Sequence, residues 1–215
     1  MLPPFDGRIC LGMETFDMLT LPRGGQSHAL VRTPSTAISG IPTEMIQTLA
    51  AAYQVPMDAR ARIFQENTWD VSRFTPCVEN NNTACNSLGM CYRFFIGRTY
   101  NPVVLGALYS SVTGINAGAE DILKSGERTW NLQKVMNVRE GFGRKDDKFP
   151  DRWFREPIKS GDKEFFLQDY CKTKKLTPED AEAMLSSYYD ERGWDIRTGH
   201  PTEERLASLG LGKLL

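Results

Sequence analysis

Cys85 and Cys91 bracket a glycine-containing turn in "TACNSLGMCYRFF", residues 83–95. Thiolates are the side chains that hold soft metal ions and iron–sulfur clusters most firmly. The pair lacks the two-residue gap of a zinc knuckle. On one unbroken helix its six-residue separation turns the chain by roughly 600° and leaves the two side chains about 120° apart, so they would not converge on one ion. Gly89 offers a place for the helix to end and re-aim Cys91, so that one cysteine alone faces a cofactor. On composition alone, the common fate of either residue is a buried thiol at a helix end. His28, in "RGGQSHALVR", lies in a glycine-rich loop flanked by arginines. A neutral imidazole there could position a substrate or transfer a proton, although a loop histidine is more often a surface or packing residue. "REGFGRKDDKFPDRWF" reads as a solvated loop with local ion pairs rather than an anion site. No nucleophile elbow, P-loop or dinucleotide-binding glycine motif is present.

The elements that position these residues read as helical. Residues 1–42 hold five of the twelve prolines and the pair Gly24-Gly25, which marks irregular chain. Thr43 is placed to cap "TEMIQTLAAAYQV", with Met45, Ile46, Leu49 and Ala50 on one face. Further helices are expected from about Ala59 and over about Asp70 to Met90. Asn101-Pro102 starts another, with Val103, Val104, Ala107, Leu108 and Val112 as its apolar stripe and Gly114 as its stop. Ala119 to about Arg139 carries Ile122, Leu123, Gly126, Trp130, Leu132, Val135 and Met136. Thr177-Pro178-Glu179-Asp180 is a strong helix start, with Ala181, Met184, Leu185 and Tyr188 buried and Gly193 as the end. A last helix spans Thr202 to Leu209. No sustained two-residue alternation, repeat or low-complexity tract appears, so the fold class is all-α and multihelical. The division expected is 1–58, an irregular segment with one helix that forms the tail of a preceding helical domain, and 59–215, a C-terminal helical domain.

The chain has 215 residues, 40% of them hydrophobic, enough for a sizeable core. Its 26 basic and 27 acidic residues nearly cancel, which argues against a nucleic-acid partner. No apolar run approaches a membrane span, and "MLPPFDGRIC" is not built like a signal peptide. Cys10, Cys77, Cys85, Cys91 and Cys171 make an odd, irregular set, unlike a disulfide framework. Reduced thiols in the cytoplasm are the expectation, and the glycosylation triplet Asn81-Asn82-Thr83 is discounted. Spacing alone carries the chain no further than a soluble helical domain.

Taken together, three stretches resemble the tungsten-containing aldehyde:ferredoxin oxidoreductases. "CNSLGMCYRF" resembles that family's D-x-x-G-L-C segment. "GERTWNLQKVMNVREGFGRKDDKFPDRWFREPIKSG" is similar to its long C-terminal signature, and "YYDERGWDIRTGHPTEERLASLGL" to its closing stretch. "LPRGGQSHALVR" is a looser match to an R-G-x-x-H stretch upstream.

The resemblance implies the helical C-terminal region of an enzyme with a tungsten (or molybdenum) bis-pyranopterin and one [4Fe-4S] cluster. Such an enzyme oxidises aldehydes to carboxylic acids and passes the electrons to ferredoxin; some relatives reduce aromatic acyl thioesters. By position Cys91 aligns with a cluster cysteine, and Asn86, Ser87, Leu88, Gly89 and Met90 with the pterin-contacting segment. Cys85 would be a buried bystander, and His28 the candidate for substrate positioning or proton transfer. Asn86 stands where the family motif has an aspartate. The other cluster cysteines belong to a C-x-x-C-x-x-x-C run that this sequence lacks. The expectation is therefore a chain that works with an N-terminal pterin-binding domain or subunit, possesses no cofactor by itself, and could form a homodimer. The rival reading is a helical interaction domain that has lost both cofactors.

Overall fold

The computed structural model describes residue 8 and residues 43–66, 68–90, 101–169 and 174–212. His28 and Cys91 lie outside the described residues, as do Cys10 and Cys171. The chain enters through α1 (Thr43–Ala52) and α2 (Met57–Ile63), followed by a small antiparallel hairpin of β1 (Phe64–Gln65) and β2 (Thr68–Trp69). Helix α3 (Val71–Ser87) comes next, then α4 (Pro102–Thr113) and the long α5 (Ala119–Arg139). A four-residue α6 (Arg152–Arg155) precedes a second hairpin, β3 (Ile158–Ser160) with β4 (Lys163–Phe165), in which Ile158 faces Phe165. Helices α7 (Pro178–Arg192) and α8 (Glu203–Ser208) complete the described chain.

Helix α3 is the axis of the packing. It lies against α5 on one side and α7 on another, while α4 packs on α5. Asp70 starts it by accepting from the amides of Ser72 at 2.9 Å and Arg73 at 3.4 Å, which satisfies two otherwise orphaned donors. The α3–α5 contact is close because Gly126 carries no side chain: a Cβ there would sit 1.9 Å from the Asn80 carbonyl oxygen and 3.1 Å from the Ala84 nitrogen. The main core joins Phe74 and Val78 of α3 to Trp130, Leu185, Tyr188, Tyr189 and Trp194, with Ile46, Ala50 and Ile63 from the first helices. Position 58 falls inside α2, so residues on both sides of it contribute to that one core. Trp69 meets Phe74 edge-on at 5.8 Å, and Trp194 meets Tyr188 in the same way at 5.8 Å.

The all-helical reading holds, and the two hairpins are too short for a two-residue alternation to have announced them. The expected helix starts and stops at Asn101, Gly114, Thr177, Gly193 and Thr202 are where the structure has them. Thr177 and Asp180 form a reciprocal capping box.

Two expectations are overturned. The α4 stripe points outward: Val103 is 50% exposed, Leu108 44% and Val112 84%, and the helix instead buries Pro102, Leu105 and Gly106. Met45, Leu132 and Met136 are likewise exposed. The charged loop after α5 is not simply solvated, since Asp147 and Phe149 are buried within it.

Candidate functional site at the end of helix α3

Residues 86–90 form the end of α3, and local chemistry explains their shape. Gly89 has φ of 73°, in the left-handed region that glycine enters without penalty. Its N–H donates to the Asn86 carbonyl at 3.0 Å, and the Met90 N–H reaches back to the Cys85 carbonyl at 3.0 Å. These two bonds make a Schellman motif, and its usual apolar contact is present: Met90 packs on the cluster of Ala84, Cys85, Leu105 and Ile122. A Cβ on Gly89 would meet nothing within 4 Å, so the positive φ is by itself sufficient reason for glycine.

The turn decides what this segment can offer a ligand. The Leu88, Gly89 and Met90 N–H groups are committed to carbonyls within the turn, and the Ser87 hydroxyl donates to the Thr83 carbonyl at 2.9 Å. Asn86, Ser87, Leu88 and Gly89 are exposed, and Met90 is half-buried. The exposed Asn86 side-chain amide, which can donate and accept, is thus an outward hydrogen-bonding group of the segment. That suits the polar edge of a pterin. Cys85 is buried at 2% exposure, and burial pushes its thiol up to about 11, the profile of an unreactive packing thiol. Among the described residues no three of His, Cys, Asp and Glu come close enough together to hold a metal.

One turn earlier α3 turns polar inside. Asn82 and Thr83 are buried, and neither Nδ2 of Asn82 nor Oγ1 of Thr83 has a hydrogen-bond partner among the described residues. Such orphaned groups cost about 1–3 kcal/mol each.

Two buried ionic groups that the sequence reading missed join the helices, one between the middle of α3 and α7 and one between α5, the loop after it and α7. Glu79 of α3 is fully buried, and its Oε2 accepts from the Tyr188 hydroxyl at 2.7 Å and from the Arg192 guanidinium. Arg192 also donates to Asn80 at 2.6 Å and lies over the Trp130 ring at 5.1 Å. Burial opposes the charge on Arg192, but the Tyr188 hydroxyl and the Glu79 carboxylate outweigh it and raise its pKa. In the second group, Lys134 of α5 donates to Asp147 at 2.6 Å, and the Tyr189 hydroxyl donates to the same oxygen at 2.6 Å. Burial raises the Asp147 pKa, against the pull of Lys134 and Tyr189. Trp194 donates its indole N–H to Asn131 at 2.8 Å and takes the Lys134 ammonium over its ring at 5.1 Å.

These contacts account for two of the three signature stretches. The loop containing Asp147 and the segment Tyr188–Trp194 meet in the interior, with Arg144 donating to the Ile196 carbonyl at 2.8 Å to close the outside. Lys134 and Asp147 pair within the first of these stretches and Glu127 of the first pairs with Arg205 of the second, whereas Arg192 finds its partner in Glu79 of α3. Leaving one member of a buried pair alone costs about 3–5 kcal/mol, whatever the net worth of the pair. The signal available in sequence was register: Arg192 lies four residues after Tyr188, and Lys134 four after Trp130, on buried stripes where a charge needs a partner.

Comparison with known proteins gives the same direction. The family model described as aldehyde ferredoxin oxidoreductase, domains 2 and 3, matches residues 2–211. The tungsten-containing aldehyde ferredoxin oxidoreductase of Pyrococcus furiosus is 27% identical over 199 residues, covering 89% of this chain and 29% of that protein. The Pyrococcus abyssi protein of the same name is 28% identical over 201 residues, covering 90% of this chain and 29% of its own length. The chain thus spans under a third of the curated relatives it matches. Among solved structures, the active-site complex BamBC of benzoyl coenzyme A reductase with 1,5-dienoyl-CoA shares the fold. It has a TM-score of 0.62 and 20% identity, and the match covers 95% of this chain and 31% of that one. Among the described residues no helix is long and apolar enough to cross a membrane. With a family match that runs nearly from end to end, the chain belongs to the aldehyde ferredoxin oxidoreductase family, of which it represents domains 2 and 3.

Proposed function

We propose that this chain is the helical C-terminal part of a tungsten- or molybdenum-pterin, iron–sulfur oxidoreductase that oxidises aldehydes to carboxylic acids in the cytoplasm and delivers electrons to ferredoxin. The observation that carries the reading is the end of α3: an exposed Asn86 amide, then a Schellman turn at Gly89 and Met90, directly before Cys91 in the chain. Cys91 supplies one thiolate to the [4Fe-4S] cluster. Asn86, Ser87, Leu88, Gly89 and Met90 form the wall against a pterin, with the Asn86 amide as hydrogen-bonding group. His28 would position the substrate or move a proton in the reaction. When bound, the metal–pterin centre supplies two-electron oxidation and the cluster carries the electrons away singly. The remaining cluster thiolates and the other pterin contacts come from a further domain or subunit.

Iron, sulfide and tungsten analysis of the native assembly, with electron paramagnetic resonance of its reduced cluster, tests the assignment. Cys91→Ala should lose or convert the cluster signal while Cys85→Ala leaves it intact. An unaltered signal in Cys91→Ala would refute the ligand role, and an assembly without either metal would favour a helical interaction domain.

A further inference from the structure

The outer face of α4 is unlike the rest of the surface. From Asn101 to Ala119 there is no charged residue, in a chain that is 25% charged. At that frequency a stretch of this length would carry about five charges. The helix spends Leu105 and Gly106 on its contact with the body of the protein and turns Val103, Ala107, Leu108 and Val112 to the outside, with Ile115 just beyond. A contiguous uncharged apolar face of this kind resembles the centre of a permanent interface more than ordinary surface.

The inner side of the same helix meets the end of α3. Leu105 and Tyr109 share a small core cluster with Cys85 and Met90.

We propose that this face of α4 is the docking surface for the remaining, pterin-bearing portion of the oxidoreductase, whose contacting face is apolar and uncharged. The inference rests on the functional reading above. Two observations favour that occupant over a second copy of the chain. The chain spans 29% of its curated relatives, so most of the family's protein has still to be met by some surface of it. The helix that carries the patch also packs, through Leu105, against the turn proposed to face the pterin, so the polypeptide that brings the pterin to that turn comes within one helix diameter of the patch.

A photo-crosslinking amino acid placed at position 108, and separately at 112, in the native assembly isolated through a tag on this chain tests the proposal. The expected result is an adduct with a polypeptide that matches the first domain of the aldehyde ferredoxin oxidoreductases, whether in the same reading frame or in another subunit. An adduct with a second copy of this chain, with an unrelated protein, or none at all overturns it. The double variant V103E/V112K should melt with the parent, since both side chains are exposed, yet retain less than about a tenth of the co-purifying partner, as charges buried in an interface demand. Full retention of a partner that is a separate subunit also overturns the proposal. Iron and tungsten are measured on the same preparation. Crosslinking to the first-domain polypeptide without metals would sink the functional reading alone, and metals without crosslinking would sink the docking surface alone.

Discussion

Replacing Gly126 by alanine sets two well-known effects against each other. In mid-helix, glycine to alanine normally stabilises by about 1 kcal/mol because the unfolded chain loses freedom and the helix gains a better former. Here the new methyl would lie 1.9 Å from the Asn80 carbonyl oxygen and 2.8 Å from its carbon. Both are backbone atoms of α3, so no side-chain rotation relieves the overlap, and α5 must withdraw by about 1.5 Å to restore an ordinary contact. That movement loosens the packing of Trp130 and Ile122 and draws the Trp130 ring away from the Arg192 guanidinium. Overpacking of this kind costs about 1–3 kcal/mol, and a clash between two backbones lies at or beyond the upper end. The net expectation for Gly126→Ala is a loss of about 2 kcal/mol, or roughly 4–8 °C in Tm for a chain of this size. Urea titration followed by circular dichroism at the helix band measures it, with the exposed Ser125→Ala as a control expected within about 0.5 kcal/mol of the parent. A Gly126→Ala variant as stable as the parent, or more so, would mean that α3 and α5 do not approach as described.

Thr83→Val should stabilise the chain by up to about 1 kcal/mol, because it removes an unpartnered buried hydroxyl while keeping its shape; a loss in urea titration would show that the hydroxyl is satisfied. Trp130→Ala and Tyr188→Ala should each lose about 3–5 kcal/mol, against no more than about 0.5 for the exposed Glu179→Ala, and equal denaturation midpoints would contradict the assigned core. Burial raises the Cys85 thiol from 9.0 to about 11, so the neutral thiol favours the folded state; its contribution is intact below pH 9 and is lost as pH rises through 11. The parent should therefore lose about 2 kcal/mol more than Cys85→Ala between pH 8 and pH 10.5, and parallel pH profiles would refute this.

Helix ends were legible because their determinants are local. An asparagine or threonine before a proline, or a glycine after an apolar stripe, fixes the geometry within one turn, as at Asn101, Thr177 and Gly193. The direction of a face was legible only where polar residues contrasted with it. The α4 helix has no charges, so its outward stripe reads in sequence like a core stripe. Buried pairs were hidden by distance along the chain, with Glu79 and Arg192 separated by 113 positions. The turn at Gly89 was readable from its composition, whereas the burial of Asn82 and Thr83 ahead of it depends on neighbours that no local pattern names.

Neighbouring residues on a helix point about 100° apart, so Tyr188 and Tyr189 reach in different directions to Glu79 on α3 and Asp147 in the loop. Together they act as a two-pin key. One pin would leave α7 free to swivel about it; two pins in different directions fix both its rotation and its height. A slip by one residue, about 100° and 1.5 Å, would withdraw both hydroxyls at once, stranding Glu79 in the interior and leaving Asp147 with Lys134 alone. Misregistered forms of the bundle are thereby penalised twice for a single error. An insertion or deletion within α7 should be tolerated far less than one in the surface turn at Gly161, because it would mis-set the lock on α3 whose far end carries Asn86.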